Sequence, residues 1–264
     1  MWLVIINIIS LLFMLTINIL ANLIPINGYH TAEISDMYPT LFIPAGITFF
    51  LIWSIIYVVW ICFTYQLLKS WKNQTGLIRT SSVWFVIANI LNGLWLLSWH
   101  HHMVGISVII MLALLSSLII LYRKIKSIKK EYPDIYTFCM TAPLSIYLGW
   151  ISIATIANIS AYLVSVKWCC AVFSGVLCTQ AALIAGTVIA GLMLVREKDY
   201  LFAGVVIWAY LGILIKRFSI VPVYYSIIIM VIIHIIIICS TALYVFKKNR
   251  VNTIKTANMK SITH

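Results

Sequence analysis

Charge is scarce in this sequence. Only 9% of its 264 residues are Asp, Glu, Lys or Arg, and only six are acids, against about 25% charged residues in an ordinary soluble domain. None falls well inside a long apolar run: Glu33, Asp36, Glu131, Asp134, Glu197 and Asp199 all lie between such runs. Ion-coupled pumps and many symporters carry an intramembrane carboxylate or base, because a proton or cation needs a charged partner in low dielectric. The shortage therefore argues against proton-coupled transport and ion conduction. It also excludes a retinal protein, since no lysine lies mid-helix to form a Schiff base.

Other absences narrow the field further. The six cysteines (Cys62, Cys139, Cys169, Cys170, Cys178, Cys239) make no C-x-x-C pair, so they read as small hydrophobes rather than disulfides or metal ligands. The N-terminal MWLVIINIISLLFMLTINIL lacks the basic region of a signal peptide, and its apolar run is too long for one, so it is expected to stay as a first span. There is no internal repeat, no low-complexity tract and no matched pair of Gly/Pro-broken helices of the kind coupled transporters use. His100, His101 and His102 are the one cluster with metal or acid/base potential. Adjacent histidines do not share a helix face, however, and no carboxylate lies nearby in sequence, so a polar turn is the expected role. No catalytic constellation and no metal site emerge. His234, the one readily ionisable side chain inside a span, reads as a hydrogen-bonded packing residue.

What is abundant is apolar surface: 63% of the residues are hydrophobic, more than a soluble fold of this size can hide. A helix needs about 20 apolar residues to cross a hydrocarbon core of about 30 Å. Eight runs qualify, at about residues 2–23, 44–68, 82–99, 104–122, 138–164, 170–195, 201–215 and 223–246. The expected fold class is an all-α membrane protein of about eight transmembrane helices.

The net charge of +12 follows topology rather than a nucleic-acid partner. Of the 18 Lys and Arg residues, 15 fall in even-numbered connections or the tail: Lys69, Lys72, Arg79, Arg123, Lys124, Lys126, Lys129, Lys130, Arg196, Lys198, Lys247, Lys248, Arg250, Lys255 and Lys260. Lys167, Lys216 and Arg217 fall in the odd-numbered ones. Such a bias predicts both termini in the cytoplasm of a multi-pass protein of the cell membrane, with residues 247–264 as a basic, mobile tail. Gly186 and Ala190, one turn apart, form a small-residue seam through which a homodimer is conceivable.

Inside the spans the chemistry is aromatic and amide. Phe49, Trp53 and Tyr57 share one face of the second span, Asn92, Trp95 and Trp99 one face of the third, and Tyr147, Trp150, Ala154 and Asn158 one face of the fifth. A buried Asn in hydrocarbon must find a partner, across helices or on a ligand. Spacing alone leaves a ligand pocket and simple helix glue equally open.

These stretches resemble the tryptophan-rich sensory protein family (TspO/MBR), which includes the mitochondrial translocator protein. PAGITFFLIWSIIY is similar to the family's second-helix signature through Gly46, Phe49, Trp53 and Tyr57, with Ala45 inserted after Pro44. LNGLWLLSW resembles the third-helix motif through Leu91, Asn92 and Trp95, with Trp99 at an aromatic position. WISIATIAN matches the fifth-helix spacing of Trp150, Ala154, Thr155 and Asn158, with Pro143 farther upstream than the pattern has its proline. Tyr38 corresponds to the first-loop aromatic. The resemblance covers residues 1–165 and implies a five-helix bundle with a pocket opening toward the first loop; residues 166–246 add three helices. It implies a receptor, sensor or handling protein for a flat hydrophobic ligand, with haem or another porphyrin, or a sterol-like molecule, as the guest and no obligatory cofactor. The ring and amide residues named above would be the ligand-binding set: Trp53, Trp95 and Trp150 stack on the guest while Asn92, Asn158 and Tyr57 supply polar contacts. The alternative is an uncoupled or partner-driven permease for a small hydrophobic molecule. Glu33 and Asp36 read as solvated loop charge, or as a gate on the pocket mouth.

Overall fold

The computed structural model describes residues 2–69, 75–127, 134–168, 175–221 and 223–262. Its helices in chain order are α1 (Trp2–Leu23), α2 (Thr31–Met37), α3 (Gly46–Lys69), α4 (Thr75–His100), α5 (Val104–Ser127), α6 (Asp134–Ser165), α7 (Gly175–Leu192), α8 (Tyr200–Ser219) and α9 (Tyr225–Ile262). All but α2 contain a stretch long and apolar enough to cross a membrane, so the eight-span expectation holds. The chain is an all-α, multi-pass membrane protein.

The helices are amphipathic in the inverted sense that lipid demands. In α1 the buried stripe is Asn7, Ser10, Met14, Asn18 and Ala21, spaced three and four residues apart, while Ile5, Ile9, Leu12 and Ile19 face outward. Hydrocarbon can solvate Ile and Leu but not an amide, so the polar side chains turn inward and bond across helices.

The first five spans close a ring: α1 packs on α4, α4 on α5, α5 on α6, α6 on α3 and α3 back on α1. Against its α3–α6 side lies α8, which in turn packs against α7 and α9. The contact is intimate. Gly212 of α8 has no room for a Cβ, which would overlap Thr48 and Pro44. That closeness lets the Ala45 N–H donate to the Gly212 carbonyl at 2.9 Å. Trp208 Nε1 donates to the Thr48 carbonyl at 3.0 Å. At the opposite end of α8, Asp199 caps the helix by accepting the Phe202 N–H at 3.0 Å. It also accepts the hydroxyls of Tyr122 (2.7 Å) and Ser145 (2.6 Å), tying α5, α6 and α8 together. The preceding π-helical turn, Met193–Glu197, closes on Lys198 at φ 54°, and this left-handed residue aims Asp199 at the new helix.

Several boundaries differ from the sequence reading. Thr31–Met37 is a helix and not open loop, because Glu33 Oε2 accepts the His30 N–H at 2.7 Å and closes its first turn. In α8 the helix reaches Ser219, so Lys216 and Arg217 occupy its last turn. Past Phe246 the helix α9 runs on to Ile262, where a mobile tail was expected. Gly186 and Ala190 are buried within the chain, Gly186 against Tyr210 and Ile153, so their seam joins α7 to its own neighbours. Glu131, Lys129, Lys130, Lys72, Cys169 and Cys170 lie outside the described residues.

Candidate ligand site under the first loop

Three helices bring the predicted rings together. At the centre is Trp53 of α3, 6.2 Å from Trp95 with planes 19° apart and 5.6 Å from Tyr57 at 29°. Trp150 meets it edge-on at 6.5 Å, Tyr147 at 6.1 Å. Phe49 stands 5.5 Å from Trp150, and Trp95 stacks on Trp99 at 6.4 Å. A separation near 6 Å is a single aromatic contact, and a guest sandwiched between Trp53 and Trp95 would need two. The rings therefore contact one another, and the open space lies beside them.

That space is two cavities. One, of about 50 Å³, is bounded by Trp95, Trp99, Trp150, Phe49, Ala154 and Asn158, with Thr31 and Ser35 of α2 as its roof. The other, of about 210 Å³, is bounded by Trp53, Tyr57, Asn18, Asn22, Phe49 and Trp95, with His30 and Thr31 above. Phe49, Trp95 and Thr31 line both, so one phenyl ring, one indole and a threonine form the partition. Small side chains make the first cavity: Ala154, Ala157 and Ala161 recur along one face of α6.

Of the ten residues named from sequence, Phe49, Trp53, Tyr57, Trp95, Trp99, Trp150, Ala154 and Asn158 line these cavities. Asn92 and Tyr147 line neither; they stand behind the wall. Tyr57 OH donates to Asn18 Oδ1 (2.7 Å), Asn18 Nδ2 to Asn92 Oδ1 (2.7 Å), and Asn92 Nδ2 to Tyr147 OH (2.8 Å). This relay crosses α3, α1, α4 and α6 and holds Tyr57 in the cavity wall. Asn158 is likewise committed, accepting Trp95 Nε1 at 3.1 Å and donating to Ser107 at 3.0 Å. A parallel pair below, Trp60 Nε1 to Asn89 Oδ1 (2.7 Å) and Asn89 Nδ2 to Ser10 (3.1 Å), repeats the device. The amides thus position the rings.

One donor is left over. Trp150 is 2% exposed, and its Nε1–H has no hydrogen-bond partner. A buried unmatched N–H costs about 1–3 kcal/mol and calls for an acceptor, whether an ordered water or a ligand.

The roof is pinned rather than loose. His100 Nδ1 lies 3.2 Å from the Ile26 carbonyl and its Nε2 lies 3.0 Å from Thr31 Oγ1. A carbonyl only accepts, so Nδ1 carries the proton and Nε2 accepts from the threonine. Asn27, at φ 55°, adds a bond from its side chain to the His100 carbonyl at 3.1 Å. Tyr38 packs on Trp99 at 5.7 Å, and Asp36 accepts Lys216 Nζ. His100 is fully buried, so the first of the three histidines is a structural clamp; Glu33 is the helix cap already described.

Asn18, Thr31 and Ser35 are site residues that the sequence reading did not name. Asn18 carried a usable signal: Asn7, Ser10 and Asn18 follow helical spacing within an otherwise apolar span.

A family model described as TSPO-like protein matches residues 4–244. The chain belongs to the TSPO-like protein family. The resemblance read from the second, third and fifth spans is thereby borne out at the level of the family. The match of this TSPO-like protein runs from α1 into α9 and continues past residue 165, where the motif resemblance ended. No curated protein and no solved structure matches the chain.

Proposed function

We propose that this TSPO-like protein is a membrane receptor or handling protein for a flat hydrophobic ligand, a tetrapyrrole or a sterol-like molecule, held among the rings under α2. The observation that carries this reading is the partnerless Nε1–H of Trp150, a residue that lines an apolar, alanine-lined cavity. Ligand sites generally measure about 300–1,000 Å³, more than either cavity offers. The guest therefore gains its place by displacing the Phe49–Trp95 partition, and the two cavities become one. Because Thr31 and Ser35 belong to the walls, that displacement moves α2, which gives a sensor its signal. The Lys and Arg distribution supports cytoplasmic termini, with α2 on the opposite side of the cell membrane.

Purified protein titrated with haem or protoporphyrin IX is expected to show saturable tryptophan quenching, at least tenfold weaker in Trp150→Ala. Absence of saturable quenching in the wild type would sink the proposal. Uptake of the same ligand into proteoliposomes separates the permease alternative, since a receptor binds without moving its guest across.

A further inference from the structure

A third cavity, of about 390 Å³, opens between the first loop and the far end of α8, and its polar walls include Asp36, Thr40, Lys216, Arg217 and Tyr224. Arg217 is only 5% exposed, and its Nε–H has no hydrogen-bond partner. Thr40 Oγ1 is also buried without one. Among these walls the one carboxylate is Asp36, which already accepts Lys216 Nζ. Two cations thus share one anion, and the guanidinium is the unmatched charge. Its position in the last turn of α8 sets it against the negative end of the helix dipole, which eases the charge but supplies no acceptor for Nε–H. A buried guanidinium N–H without an acceptor is costly. Its planar fork suits the two oxygens of a carboxylate or phosphate.

This cavity is continuous in its walls with the ring-lined site. Ser35 and Ile43 border both it and the Trp99–Trp150 cavity. Between them lies a space of about 30 Å³ bordered by Asp36, Lys216, Pro44 and Phe49. A guest seated among the rings and extended past Phe49 would come to Lys216, which borders the third cavity together with Arg217.

We infer that Arg217, with Lys216, forms an oxyanion site that takes the carboxylate of an amphiphilic guest whose apolar body lies in the ring-lined site. The inference rests on the ligand-binding role proposed above. It gives α8 a direct part in recognition, so that the site is complete only with a helix from beyond residue 165.

The test compares protoporphyrin IX, which carries two carboxylates, with its dimethyl ester, which keeps the ring and loses the charge. Both are titrated in dodecyl maltoside, a detergent without phosphate. Wild-type protein is expected to bind the diacid about tenfold more tightly than the ester. In Arg217→Gln the preference should vanish while ester affinity stays within twofold, which also shows that the ring site has kept its fold. An undiminished preference in Arg217→Gln, or no preference in the wild type, would overturn the inference and leave the ring site standing. If neither porphyrin binds the wild type, the ligand-binding proposal itself fails, and with it the link to an amphiphilic guest. Inorganic phosphate at constant ionic strength then decides whether an oxyanion site survives alone: a rise in melting temperature in the wild type but not in Arg217→Gln supports it, and no rise removes it.

Discussion

The ring formed by α1 and α3–α6 and the layer formed by α7–α9 solve the same problem in different ways. Both must satisfy polar groups in hydrocarbon. In the ring, amides relay across as many as four helices, from Tyr57 through Asn18 and Asn92 to Tyr147, and they hold large aromatics around open space. In the layer, the polar contacts are more local: Thr187 Oγ1 lies 3.0 Å from His234 Nδ1 and 3.3 Å from Tyr210 OH, which donates to the Leu183 carbonyl at 2.6 Å. Gly186 lets Tyr210 approach closely, and Thr187, Tyr210 and His234 line neither of the cavities beside Trp53 and Trp150. A polar network that spans several helices can keep a gap open, whereas a small-residue seam closes one. The ring keeps open space among its aromatic side chains, and the layer packs against the ring through α8.

That contrast can be broken at the seam and sharpened within each part. The largest effect is expected from Asp199→Ala, which strands the Tyr122 hydroxyl and the Phe202 N–H in the interior, while Ser145 keeps the Thr141 carbonyl as its acceptor. At roughly 1–3 kcal/mol per orphaned group, about 4 kcal/mol of stability is lost, read as the midpoint of unfolding in mixed detergent micelles. Gly212→Val should lose about 3 kcal/mol by overpacking against Thr48 and Pro44; an unchanged midpoint would mean that α8 is not seated on α3 as described. Within the ring, Asn18→Leu removes the centre of the relay and should cost about 2 kcal/mol, since hydrogen bonds between membrane helices average about 0.6 kcal/mol each and reach about 1.7. Within the layer, Thr187→Val should cost only about 1 kcal/mol, two bonds at the average of about 0.6 each, because Tyr210 keeps the Leu183 carbonyl as its acceptor. Equal losses from the last two would erase the distinction between the two parts.

Much of this architecture is legible in the sequence because apolar run length is a direct physical requirement of the bilayer. The first span, residues 2–23, was located to the residue. Same-face spacing grouped Phe49, Trp53 and Tyr57 on one span, Trp95 on another and Trp150 on a third, and the family resemblance joined them into one set. Spacing cannot say whether rings on facing helices meet or leave a gap, which depends on interhelical distance; hence the stacking of Trp53 on Trp95 came only with the structure. Helix α2 is too short to show a period, and its cap at His30 and Glu33 is a matter of loop geometry. Asp199, Lys216 and Arg217 sit between apolar runs and so read as solvated connections. Their environment is set instead by neighbouring helices: α5 and α6 bury Asp199, and the first loop folds over Arg217.

The central claim is that the ring-lined space is a ligand site whose wall offers an unmet donor. Replacing Trp150 with Phe keeps a ring in the wall and deletes only the indole N–H and some volume. Protoporphyrin IX titrated into wild type and Trp150→Phe, followed by quenching of the remaining tryptophans, tests the claim most directly. The account predicts saturable binding in both, about tenfold weaker in the variant. Identical affinities would contradict the role assigned to Trp150 Nε1–H, and the absence of saturable binding in the wild type would contradict the site.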